Sequence, residues 1–451
     1  MHMFSKIEFK NFMSFSNLTF DLLNRGKCKD IIAIYGENGS GKTNIVEAFK
    51  LLVLSLQSME SLNENTRLQS LLKEQTNKEE NQKTNFGDIS EILDKISFFT
   101  TFKGIAKNTH RIASEGNTIL KYYFNIEKDN GYYLLEYNEN NELVKEELVF
   151  KIKSNKGVHF SITNIDGLSQ SLNKTIFKNT IFKDLTEQIE KYWGKHTFLS
   201  IFNNYCLEVN EEFINEQVSI NFQKVVDEFD KIFIWSGNFR GPFHSTELLL
   251  KDISKGKIDK SEKEKLSYTE EIIYKYFSAL YIDIKDVKYK QDAQGQEIKY
   301  ELMIRKNIGG DLLDVPISLE SQGTKNLLDL LKVFNNVLDG KICIVDEIDS
   351  GIHDLLMNSI LNDLKGSVNG QLIFTTHDTT LLKELSPSSA YFLNVDIKGN
   401  KVIISGNEAD KKIGVNNNLE KLYLSGFFGA VPDPLDIDFS DLFLDHNLSE
   451  D

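Results

Sequence analysis

Cysteine, proline and tryptophan are scarce in this chain, with three, five and two residues among 451. Cys28, Cys206 and Cys343 are far apart and odd in number, which fits neither a disulfide framework nor a zinc site. With so little proline and 40% hydrophobic residues, the composition is that of an ordinary globular protein. No apolar run approaches the length needed to span a bilayer, and the run near Leu51 to Leu56 belongs to an amphipathic helix. The first twenty residues alternate polar and apolar, unlike a signal peptide, so a cytoplasmic protein without a membrane partner is expected. Basic residues are also short, 52 against 67 acidic ones, for a net charge of −15. A chain so acidic is a poor general partner for nucleic acid, whose affinity depends on phosphate neutralisation, and no Lys/Arg cluster is dense enough to argue for a basic groove. Sustained heptads and a repeat of fixed period are absent too, which argues against a long coiled-coil arm.

What is present starts with Gly36-Glu37-Asn38-Gly39-Ser40-Gly41-Lys42-Thr43, a complete phosphate-binding P-loop. The glycines open backbone conformations closed to residues with a Cβ, so that N–H groups turn inward toward phosphate oxygens. Asn38 and Ser40 lie within that cradle, Lys42 supplies charge at the β- and γ-phosphates, and the Thr43 hydroxyl is placed to ligate Mg²⁺. Ile31 to Tyr35 reads as a buried strand and Asn44 to Leu52 as a helix, so the loop opens a helix N-terminus that favours anions. ATP and Mg²⁺ are the implied ligands.

Length suggests two or three domains. Ser5 to Phe12 alternates like an edge strand, Leu18 to Leu22 continues as a second, and a hairpin leads to the P-loop strand. Residues 57–85 are polar and read as a solvated helix and loop. Period-two runs at Tyr122–Ile126, Tyr132–Tyr137 and Glu147–Ile152, with turns at Asn130-Gly131 and Asn138 to Asn141, predict an antiparallel meander. Phe177 to Phe233 reads mostly helical, Ser267 to Leu280 adds a helix, and Val287 to Ile304 a β stretch turning near Ala293-Gln294-Gly295. Trp235 to Pro242 is an aromatic and basic loop: a structural turn, or one that turns Arg240 to nucleotide or partner.

Ile342 to Val345 followed by Asp346-Glu347 describes a buried strand presenting carboxylates at the ligand edge of an α/β sheet. Paired with a P-loop, Asp346 would hold the Mg²⁺ shell and Glu347 would be the general base for the attacking water. About 300 residues separate these two motifs, so a domain-sized insertion divides one nucleotide fold. Ser318 to Asn326 precedes an apolar helix and makes a second N-terminus suited to an anion. Leu372 to Asp378 is a further buried strand, ending in His377 as a candidate γ-phosphate sensor or a core histidine. Asp378 is either catalytic or a helix cap.

The ordered set of P-loop, Ser321-Gln322-Gly323-Thr324, Asp346-Glu347, Ser350-Gly351-Ile352-His353 and Thr376-His377 resembles the ABC-type ATPases of the SMC, RecF and OLD group. Within it the chain is most similar to the stand-alone phage-defence ATPases of the RloA or abortive-infection AbiL type, through Lys10 to Phe15, Ser321 to Lys325 and Tyr423 to Pro432. Those relatives carry an arginine where this chain has Phe427, so that arginine's role does not transfer. The resemblance covers residues 1–55 and 310–435. It implies an α/β fold, an ABC-type P-loop ATPase head with a mixed sheet, an antiparallel β subdomain and a helical insertion. The divisions expected are 1–56 for the first half of the head, 57–310 for the inserted region, 311–435 for the second half, and 436–451 for an acidic tail.

The resemblance also implies a head-to-head homodimer or larger homo-oligomer, in which Ser321 and Gly323 reach the γ-phosphate held by the opposite P-loop. One P-loop and one signature per chain agree with that. His353 would contact the partner subunit or cap a helix, and Gln82 is the suggestive glutamine for linking P-loop to insertion. The function implied is an ATP-hydrolysing sensor or regulatory subunit of a bacterial anti-phage system, answering a phage-derived trigger. The effector, a nuclease or toxin from a neighbouring gene, is expected to be a separate protein, since fewer than about eighty residues follow His377, too few for a nuclease domain. The alternatives are a RecF- or SMC-like repair ATPase binding DNA across dimerised heads, and a non-enzymatic module using ATP only as a dimerisation ligand.

Overall fold

The computed structural model describes residues 2–76, 100–237, 239–241, 249–408 and 418–431. A mixed seven-stranded sheet runs in the order Phe239–Arg240, Ile232–Ser236, Ile342–Val345, Gln371–Thr375, Ile31–Gly36, Ala390–Val395, Lys401–Ser405. The five inner strands are parallel and the two outer ones antiparallel to their neighbours. Near-continuous apolar sequence is what a parallel strand covered on both faces requires. Alternation sends Ile32, Ile34, Ile344 and Ile373 to one face, where they pack with Ile45, Val46 and Phe49 of the P-loop helix. Ala33, Tyr35, Val345 and Phe374 face the other way, toward Leu327 and Leu330 of helix Gln322–Leu338 and Met357 and Leu361 of helix Asp354–Leu364. The fold is thus the α/β ATPase-head type expected from the sequence.

A second, antiparallel sheet also has seven strands, from Phe15–Asp21 through His2–Phe12, Thr118–Ile126, Asp129–Tyr137, Leu143–Ile152 and Asn155–Asn164 to Leu168–Leu172. The opening strand, expected at an edge, is interior and bonded on both sides. Alternation reports a half-buried face but not the number of neighbours. The meander also continues for two strands beyond the three expected. The predicted turn at Asn130-Gly131 moves as well: Ile126 pairs with Asp129, leaving Glu127-Lys128 as the turn, with Glu127 at φ 57°. Gly131 lies within the strand instead, where a Cβ would come within 2.7 Å of the Phe124 ring. Its glycine serves close packing, not a turn. The Asn138 turn stands where expected, its carboxamide oxygen accepting from the Asn140 and Glu142 amides.

The stretch expected as an insertion is woven into both sheets. The boundary at 56 falls inside one helix, Lys42–Thr76. Strands from Thr118 to Leu172 extend the sheet begun by residues 2–21, and Ile232–Ser236 lies beside the acidic strand. Unpaired strand edges and apolar faces are satisfied in this way without a separate core. Helices Asn179–Tyr192, Phe198–Glu208, Glu211–Gln217 and Ile220–Asp230 fill the region read as helical. A smaller sheet, turning at Gly295-Gln296 as expected, packs on helix Lys263–Leu280. The Trp235 segment is a hairpin, Ser236 pairing with Phe239, while the Arg240 side chain, on which the alternative turns, lies outside what is described. Gln82 and the tail at 436–451 lie outside the described residues.

Two buried polar groups join these parts. Gln371 accepts from the Phe4 amide at 3.0 Å and donates to the Phe4 and Lys29 carbonyls, tying the antiparallel sheet to the central one. Glu146 accepts from Tyr133 Oη, Trp193 Nε1 and the Phe198 and Leu199 amides, tying the meander to the start of helix Phe198–Glu208. Complete burial pushes the Glu146 carboxyl up to about 7, against those hydrogen bonds. A carboxyl whose folded pKa lies above its unfolded one contributes stability present below the unfolded value and lost as pH rises through the folded one. The wild type should therefore lose stability relative to Glu146→Gln between about pH 4.5 and 7, as read by urea unfolding midpoints.

Candidate nucleotide site

Parallel register brings the tips of four strands to one edge. Val345 is level with Phe374, Thr375 with Ile34, and Leu393 with Gly36. At that edge Gly39 and Gly41 take φ 78° and 111°, which lets the loop curl before the helix opens at Lys42. Lys42 is buried, its ammonium donating to the Gly36 and Glu37 carbonyls at 2.8 and 3.0 Å. Burial lowers its pKa, while Asp346, Glu347 and Asp349 pull the other way. Ser40 is 1% exposed and its hydroxyl has no hydrogen-bond partner. An orphaned buried hydroxyl inside the loop fits a phosphate oxygen.

Asp346 Oδ1 stands 3.4 Å from Thr43 Oγ1 and accepts from Thr375 Oγ1 at 2.6 Å. Thr43 and Asp346 are the pair that could hold a divalent cation. The described residues contain no cluster of three or more metal-ligating side chains, and Mg²⁺ needs none where phosphates and water complete its shell. Glu347 leaves the strand at φ 51°, its amide donating to Thr375 Oγ1 at 2.8 Å. For a non-glycine residue that conformation costs on the order of 1 kcal/mol, and such strain concentrates at working sites. The bend delivers the Glu347 side chain to solvent at the site's mouth.

His377 is exposed and lies within electrostatic reach of Lys42, Asp346, Glu347 and Asp349. Desolvation, then Lys42, lower its pKa, so the ring is neutral at pH 7 and can accept or donate. Asp378 caps the turn Thr379–Lys383 by accepting from the Thr380 amide and hydroxyl. His353 Nδ1 likewise accepts from the Leu355 amide as the cap of helix Asp354–Leu364. Sequence reasoning missed Thr375, which bonds the Asp346 carboxylate and the Glu347 amide, and Asp349, whose Oδ2 accepts from the Asp378 amide at 3.1 Å. A polar residue at the tip of an otherwise apolar strand was the available signal for Thr375.

Ser321 and Gly323 are not joined to this cluster by any hydrogen bond or ion pair among the described residues. Ser321 is exposed and caps helix Gln322–Leu338. Gly323 packs against the loop after the acidic strand, where a Cβ would lie 2.2 Å from the Gly351 carbonyl oxygen. Asn326 fixes the same loop by donating to the Ser350 carbonyl at 2.7 Å. The signature helix and that loop therefore form one unit.

The model of the RecF/RecN/SMC N terminal domain matches residues 3–396. No curated protein matches. Among solved structures, the Smc head domain with an extended coiled coil bound to the C-terminal domain of ScpA, derived from Pyrococcus furiosus, is 14% identical with TM-score 0.40, covering 90% of this chain and 96% of that one. The SMC head domain from Thermotoga maritima is also 14% identical, with TM-score 0.35 over 89% and 98%. Likeness of that order adds nothing to the family match.

Two variants test the geometry. Thr375→Val should weaken Mg²⁺-dependent nucleotide binding by about tenfold in calorimetry, from loss of one charge-assisted hydrogen bond, with Thr375→Ser near wild type. Gly323→Ala must push two backbones apart and should destabilise the fold by about 1–3 kcal/mol in urea unfolding.

Proposed function

Because the chain belongs to the RecF/RecN/SMC N terminal domain family, we propose that it is an ATP-binding and ATP-hydrolysing head whose complete site is shared between two copies. The observation that carries this reading is the separation of the signature from the P-loop cluster within one chain. Lys42, Thr43, Asp346 and Glu347 meet at one strand edge, while the exposed Ser321 belongs to a unit docked on Ser350-Gly351. The Ser321 and Gly323 that complete the site at the γ-phosphate then come from another copy.

In the proposed reaction the Glu347 carboxylate takes a proton from water as the water oxygen bonds to the γ-phosphorus. The bond from that phosphorus to the bridging oxygen breaks, leaving ADP and phosphate. Lys42 and the loop amides hold the phosphates, and His377 donates to the γ-phosphate. A Mg²⁺ ion held by Thr43 and Asp346 would neutralise phosphate charge. ATP links the copies, and its hydrolysis releases them.

Beyond the nucleotide chemistry, the chain acts as a sensor and regulatory subunit of a bacterial anti-phage system controlling a separate effector. Support comes from the local matches to phage-defence ATPases at Lys10 to Phe15, Ser321 to Lys325 and Tyr423 to Pro432, the last described as far as Val431. In this fold the last of these closes over the P-loop strand: Phe428 stacks on Phe392 at 3.7 Å, and Tyr423 packs on Tyr35. Co-purification with the product of the adjacent gene, with mass measured with and without ATP, tests this role. A head that recruits nothing contradicts it.

One observation favours DNA as a second reading. The outer face of the antiparallel sheet sets Lys6 and Lys121 over Tyr123, and Lys121 and Lys156 over Tyr132, an aromatic and basic surface assembled from separate strands. Glu8 and Glu147 partly neutralise it. Duplex binding at physiological salt in a mobility-shift assay with ATP, abolished by Lys121→Glu, would favour that reading.

Glu347→Gln should lower phosphate release by at least about a hundredfold, the scale of a general base, while retaining ATP binding. In light scattering the variant should stay dimeric in ATP. Unchanged phosphate release would remove Glu347 as the base.

A further inference from the structure

We propose that Lys401 is a nucleotide-binding residue, a second ammonium that contacts the phosphates common to ADP and ATP from the side opposite the Asp346-Glu347 strand. It deepens the nucleotide reading above and rests on it. Lys401 opens the edge strand Lys401–Ser405, two strands from the P-loop strand in the central sheet. Its ammonium donates to the Gly39 carbonyl at 2.9 Å. A Cβ placed on Gly41 would lie 3.2 Å from Lys401 Nζ, 3.0 Å from Ser14 Oγ and 3.0 Å from the Phe15 ring. Two segments remote in sequence, Ser14-Phe15 and Lys401, therefore converge on the glycine that precedes the P-loop lysine.

Among the described residues the charge at that point has no counter-charge. No carboxylate pairs with Lys401 among the described residues, and its ammonium also lies 5.8 Å from the centre of the Phe15 ring. Partial burial lowers its pKa with no opposing acid. A partly desolvated ammonium facing a carbonyl and an aromatic ring is under-compensated, and an anion at the loop supplies what it lacks. Lys42 serves the terminal phosphates from inside the loop. Lys401 approaches from the rim beside Ser14 and Phe15, so its contact falls on the part of the nucleotide that ADP retains.

Calorimetric titration of the full chain with ADP and with a non-hydrolysable ATP analogue tests this. Lys401→Gln keeps a donor for the Gly39 carbonyl but removes the charge. It should weaken both ligands by the same factor, about tenfold, as a partly exposed charge-assisted contact implies, and Lys401→Arg should stay within about threefold of wild type. Gln binding both nucleotides like wild type would show that the lysine only braces the loop and would overturn the proposal. Loss confined to the ATP analogue would overturn it too, by placing the contact at the γ-phosphate. A wild-type chain that binds neither nucleotide would instead overturn the nucleotide reading and take the Lys401 role with it.

Discussion

The site depends on parallel register across the strands ending at Thr375, Val345 and Gly36. Because Thr375 stands level with Ile34 on one side, and Phe374 with Val345 on the other, a single hydroxyl can reach both members of the acidic pair. Thr375 Oγ1 donates to Asp346 and accepts from the Glu347 amide. A one-residue slip in any of these strands would reverse its facing pattern and separate the acids from the P-loop. The alternation of Ile32, Ile34, Ile344 and Ile373 against Ala33, Tyr35, Val345 and Phe374 prevents that slip, since either error would strand apolar side chains on the wrong face. Core packing and site geometry are thus one constraint.

A second coupling runs outward from the same edge. The loop after Glu347 is held by Asn326 and by the close approach of Gly323 to Gly351, so the acidic loop and helix Gln322–Leu338 are directly connected. Asp349 extends the connection to the His377 segment through the Asp378 amide.

Much of the site could be read before any coordinates, and the reason is local. Gly36 to Thr43 and Asp346-Glu347 carry their chemistry in consecutive residues, flanked by apolar strands that can only be buried. His353 and Asp378 each fit two roles by sequence, and in the fold both make capping hydrogen bonds. What was illegible depends on contacts between distant segments. Thr375 meets Asp346, and Lys401 meets Gly39, only once the chain is folded. Asn130-Gly131 has the composition of a turn, yet the Phe124 ring across the strand requires the glycine for space. The stretch from 57 to 310 could be read for local elements but not for the sheets those elements join, because strand partners are fixed by tertiary edges and faces.

The central claim is that one chain supplies half of each hydrolytic site, and complementation between two inactive chains tests it most directly. Lys42→Ala removes the phosphate-loop cation, while Ser321→Asp keeps a cap for its helix and sets a negative charge against the γ-phosphate. Each alone should release almost no phosphate from ATP. An equimolar mixture should recover hydrolysis, because pairing the intact P-loop of one with the intact signature of the other restores one site per mixed dimer. A mixture as inert as its parents, or a Ser321→Asp chain as active as wild type, would contradict the account.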